Sequence, residues 1–220
     1  MMIDILVTQR ADAKFAYLLA HGAGADMTTP FLNAITGLLV DRSIAVFRFE
    51  FTYMTERKTK GLRRPPPRAE VLKPEYLAAI AQLTAYENLP PHLFIGGKSM
   101  GGRVASMIAG EAFASGDVAG LVCLGFPFHP PAKLENLRTQ HLETLHCPTL
   151  IVQGELDPFG HRGEHERFKL DPAIEIAWID DGDHDFRPRG VSGFTRTGNL
   201  VAAADATRAF MEKTASRRKT

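Results

Sequence analysis

Seven short apolar runs recur along this chain, at 4–8, 15–20, 44–49, 92–96, 119–124, 148–153 and 174–179. Most are continuous rather than alternating, which predicts strands buried on both faces of a sheet. Between them, stretches with helical spacing predict helices at 31–41, 74–88, 100–114, 161–168 and 199–213. Pro74 suits a first helical turn, and Pro90-Pro91 keeps that helix from running into the next strand. Strands alternating with helices predict an α/β fold: one mostly parallel sheet of about seven strands, helices on both faces. The segment 50–73 reads as a long loop and 125–141 as a short one, with no room for a cap domain. No repeat or low-complexity linker divides residues 1–220, so a single domain is expected, with a frayed basic tail at 214–220.

Composition adds little beyond exclusions. At 220 residues and 45% apolar content, the chain is large enough to bury a core without staples. Its 26 basic and 25 acidic residues nearly balance, so no overall field points to nucleic acid or a membrane surface. The N-terminus carries an acid, Asp4, inside its apolar run and reads as a strand rather than a signal peptide. Cys123 and Cys147 each adjoin an apolar run and read as buried free thiols, which suits a reducing, cytoplasmic setting.

In a parallel sheet, ligands bind beyond the carboxyl ends of the strands. On the predicted strand map, three chemistry-bearing pieces emerge on that edge. The first is Gly97-Lys98-Ser99-Met100-Gly101, between a strand and a helix. A serine hydroxyl is a weak nucleophile that needs a base, and a sharp turn presenting it needs small residues two positions to either side. Gly97 and Gly101 meet that need, with Gly96 and Gly102 as extras; the competing reading is an N-capping serine.

The second piece is Gly154-Glu155-Leu156-Asp157-Pro158, in which Asp157 is the candidate to orient a histidine, ahead of Glu155. The third is Gly182-Asp183-His184-Asp185-Phe186, where His184 is the candidate general base. A further glycine-rich turn, His21-Gly22-Ala23-Gly24-Ala25, follows the strand at 15–20. Its N–H groups, Ala23 first and Gly24 next, join that of Met100 as expected donors to an oxyanion, with His21 bracing the loop. His161 and His165 share helical i,i+4 spacing but lack a third ligand, so no metal is expected, and no cofactor either.

In this order and placement, these pieces resemble the nucleophile, acid and base of the α/β-hydrolase superfamily, and the resemblance runs from about residue 5 to 211. The small size is similar to the compact, lidless dienelactone-hydrolase-like branch. The run from Gly96 to Arg103, with Arg63-Arg64-Pro65-Pro66-Pro67, more narrowly resembles a group of bacterial proteins. That group includes a mammalian testis-expressed hydrolase-like protein and a histone-acetyltransferase complex subunit. The resemblance implies a seven-stranded hydrolase fold. It implies cleavage of a small carboxylic ester or related acyl bond through Ser99, His184 and Asp157, or else an interaction protein built on the same fold.

Substrate contacts are expected from the loops. The segment 50–73 carries Arg57, Lys58, Lys60, Arg63, Arg64 and Arg68 and could overhang Ser99. Arg63 and Arg64 are the expected contacts to an anionic ester, against a plain solvated loop as the alternative. Phe126, Phe128, Phe159 and Phe186 are candidates to line an apolar cleft, with core packing the competing reading.

Overall fold

The computed structural model describes residues 3–61 and 65–217. Its seven strands are β1 (Ile5–Thr8), β2 (Phe15–Ala20), β3 (Ile44–Phe49), β4 (His92–Lys98), β5 (Gly120–Leu124), β6 (Thr149–Gly154) and β7 (Ile174–Ile179). They form one sheet in the order β1-β3-β2-β4-β5-β6-β7. Only β1 runs antiparallel, pairing β3 at the edge; the other pairs are parallel. The central strands are buried along their whole length, which is why their sequences are continuous apolar runs.

Helices cover both faces. On one side α1 (Pro30–Val40) packs against the last helix, α5 (Arg196–Arg217), over a core of Tyr17, Val46, Phe94 and Val152. On the other, α3 (Ala69–Thr84) and α4 (Met100–Ala114) cover Leu18, Phe47, Ile95 and Cys123. Cys123 and Cys147 are free and buried.

Four predicted elements need correction. The segment 50–73 is not one long loop: it holds α2 (Thr52–Lys60), which buries only Met54 and therefore shows no apolar periodicity to read. Helix α3 begins at Ala69, so Pro74 lies inside it rather than in its first turn. Burial of Ala69, Leu72 and Tyr76 outweighs the hydrogen bond that the proline removes. The final helix α5 (Arg196–Arg217) runs through 214–217 instead of fraying there, because Thr214 and Ala215 are buried against the sheet-facing core. Residues 218–220 fall outside the described part. The predicted helix at 161–168 is a short 3-10 segment, Arg162–Arg167, so His161 and His165 do not share an α-helical face. No helix among the described residues is long and apolar enough to cross a membrane.

Candidate active site

Ser99 links β4 to α4 in a backbone conformation that L-residues seldom adopt, φ 52° and ψ −116°. Its N–H donates to Leu124 O at 3.0 Å, which locks the turn onto β5. The glycines around it are required by contact. A Cβ on Gly97 would lie 2.7 Å from Ala20 O, and one on Gly101 2.5 Å from His21 O. Gly96 is no mere extra: its Cβ would fall 1.7 Å from Val122 O. The Ser99 side chain makes no capping hydrogen bond to α4, contrary to the N-cap reading. The hydroxyl, without a hydrogen bond among the described residues, stands at a helix N-terminus beside the first-turn N–H of Met100.

The His21 loop is held from both ends of one imidazole. His21 Nδ1–H donates to Gly22 O at 2.7 Å, and Nε2 accepts from Phe51 N–H at 3.1 Å. The ring is buried, and desolvation draws its proton affinity below the ordinary imidazole range, which keeps it the neutral bridge this pairing needs. The Tyr53 hydroxyl donates to Ala23 O at 3.0 Å. That bond orients the Ala23–Gly24 peptide, while the peptide that carries the Ala23 N–H is held through Gly22 O by His21. Ala23 lines the same cleft as Ser99 and Met100; Gly24 does not.

Asp157 is fully buried after β6. Its Oδ2 accepts from His184 Nδ1–H at 2.7 Å and from Gln153 Nε2 at 2.9 Å, while Oδ1 accepts from Phe159 N–H at 2.8 Å. Glu155, the alternative carboxylate, is turned away to Arg162 and the Asp181 N–H. The His184 ring lies 4.4 Å from the Phe159 ring and remains partly exposed. With Nδ1 committed to Asp157, its Nε2 is left for proton transfer.

Two participants escape a reading of the sequence. Gln153 is the one amide side chain in the run 148–153, and that oddity was its only signal. It is fully buried and also clasps Phe126 through both backbone groups: Oε1 accepts from N–H at 2.7 Å, and Nε2 donates to O at 3.2 Å. Lys98, beside the serine, is buried with its amine 3.4 Å from Asp185 Oδ1 and 5.3 Å from the centre of the Phe31 ring.

Three of the four candidate cleft phenylalanines pack in the core instead. Phe126 and Phe186 do not line the cleft; both are fully buried, Phe126 edge-on to Phe128 and Phe186 edge-on to Phe31. Phe128 is likewise buried, stacked on Phe168. Phe159 is the member of that set that reaches the cleft beside Ser99, a space of about 510 Å³. Arg63 and Arg64 lie outside the described residues. The neighbouring Pro66, Pro67 and Arg68 line the same cleft as Ser99.

A strained serine turn at the carboxyl edge of a doubly covered parallel sheet, with a histidine–aspartate pair on later loops at the same edge, is the arrangement of the α/β-hydrolase class. The chain matches the alpha/beta hydrolase domain family over residues 13–212 and belongs to it. A dienelactone hydrolase from Anabaena variabilis superposes with a TM-score of 0.74 at 20% identity, covering 96% of this chain and 91% of that one. Est1E from Butyrivibrio proteoclasticus, solved with ferulic acid, gives 0.70 at 12%, covering 97% and 96%. A serine hydrolase without a lid from Xanthomonas campestris gives 0.62 at 16%, covering 98% and 88%. At these identities the likeness speaks for the shared fold.

Proposed function

We propose that this protein is a serine hydrolase of small carboxylic esters or related acyl bonds. The observation that carries the reading is the 2.7 Å bond from His184 Nδ1 to the buried Asp157, on the sheet edge where Ser99 is presented. Ser99 Oγ attacks the carbonyl carbon while His184 Nε2 takes its proton. Asp157 holds the tautomer and stabilises the imidazolium. The oxyanion accepts from the N–H groups of Met100 and Ala23, each worth about 2.7–4 kcal/mol in comparable holes. Gly24 is the weaker candidate donor. Collapse expels the alcohol, which takes the proton from His184, and water then cleaves the acyl-enzyme by the same steps reversed.

Fluorophosphonate labelling tests this directly. Wild type should be labelled at Ser99 and should turn over a neutral 4-nitrophenyl ester, and Ser99→Ala should do neither. A folded wild type that resists the label and leaves the ester intact would favour the interaction-protein reading instead.

A further inference from the structure

Arginines from three separate parts of the chain converge in the wall of the Ser99 cleft. Arg68 precedes α3, Arg103 lies one turn into α4, and Arg138 belongs to the segment that follows β5. Glu70 is the one carboxylate lining this space among the described residues, and it is engaged by Arg103 Nη2 at 2.7 Å. Arg103 Nε is buried and has no hydrogen-bond partner among the described residues. The Arg138 guanidinium has no hydrogen bond or ion pair among them. Three cations thus face one carboxylate.

Burial and crowded charge both bear on these groups. Burial first, and then the Arg103 charge, hold the proton affinity of Arg138 below the usual guanidinium value. His141, further along the same wall, is drawn down to about 4 by burial and by Arg103. Like charges kept together in a partly buried wall with too few counter-charges favour an incoming anion. Guanidinium forks bind carboxylate and phosphate oxygens in pairs, which adds geometry to charge. Pro66, Pro127 and Phe159 line the same cleft and offer apolar wall for a connecting chain.

We propose that the cleft selects acyl substrates carrying a second, anionic group, a carboxylate or a phosphate, gripped by Arg103 and Arg138 while the scissile carbonyl reaches Ser99. This specificity rests on the serine-hydrolase reading above, and its test separates the two.

Three esters serve: mono-4-nitrophenyl adipate, its neutral methyl ester, and 4-nitrophenyl 5-phosphonopentanoate. Wild-type kcat/KM on at least one anionic ester should exceed that on the methyl ester by about 10- to 100-fold, the worth of charge-assisted hydrogen bonds. The better of the two anionic esters identifies the group. Arg138→Gln should bring the anionic-to-neutral ratio down toward one, and Arg138→Lys should recover part of it, keeping charge without the fork. Lys213→Gln, on α5 where Lys213 pairs with Glu175, should keep the wild-type ratio. A wild-type ratio near one, or a ratio unmoved in Arg138→Gln, overturns the proposal while leaving the hydrolase reading intact. If no ester turns over and the serine resists labelling, the hydrolase reading fails. Calorimetric titration of Ser99→Ala with mono-4-nitrophenyl adipate then decides: heat abolished by adding Arg138→Gln supports the anion site, and no heat in Ser99→Ala overturns it.

Discussion

Gln153 donates from Nε2 to the same Asp157 oxygen that receives the His184 Nδ1 proton, at 2.9 Å against 2.7 Å. The carboxylate is therefore aimed from the strand below it as well as by its own turn. Gln153→Leu should leave the Phe126 backbone groups and Gly160 O without this partner, costing about 2–3 kcal/mol of stability. Loosening Asp157 should also lower kcat by roughly 100-fold, the scale of a small misplacement of catalytic groups. Urea unfolding and ester turnover on one preparation measure both. Unchanged kcat in a destabilised variant would reduce Gln153 to a packing role.

Gly96 and Gly24 make opposite predictions. Alanine at 96 would drive a methyl into Val122 O and against the Tyr17 hydroxyl, so Gly96→Ala should lose more than about 4 kcal/mol or fail to fold. At Gly24 nothing lies within 4 Å of the added carbon, and Gly24→Ala should stay within about 0.5 kcal/mol of wild type in stability. Thermal melts of the two variants compare them directly.

Lys98 bears on stability through pH. Burial is the dominant influence on its amine and lowers its proton affinity, against the opposing pull of Asp185, Asp157 and Asp183. The unfolded chain, with a lysine near 10.4, binds that proton more tightly than the fold does. Stability therefore rises with pH across the interval between the lowered folded-state value and about 10.4. Lys98→Met should melt higher than wild type at pH ~7, with the gap narrowing toward pH ~10. A lower melting point at neutrality would show that the Asp185 pair outweighs desolvation.

Acid should act through His141 in the same direction. Its imidazole, drawn down to about 4, stays neutral in the fold while the unfolded chain protonates near 6.5. Stability is thus lost as pH falls from about 6.5 toward 4. Wild type should lose more denaturation midpoint between pH ~7 and ~5 than His141→Gln does. Equal losses would place the acid sensitivity elsewhere, with buried His21 the next group to test.

Burial on both faces wrote the strands into the chain as unbroken apolar runs, so the sheet and the order of its helices were legible without coordinates. The Ser99 turn was equally legible, since its geometry tolerates so few residues that the glycines announce it. Asp157 and His184 could be placed because each follows a strand at the same sheet edge. Polar α2 left no such trace, because a helix burying one side chain has no period to display. Nor did local pattern say which phenylalanines face the cleft: Phe126 and Phe186 are turned into the core, and Phe159 out of it, by packing between distant segments. The cationic wall was hidden for the same reason. Arg103 and Arg138 are 35 positions apart on a helix and a loop, and only the tertiary fold brings their charges into one cleft beside Ser99.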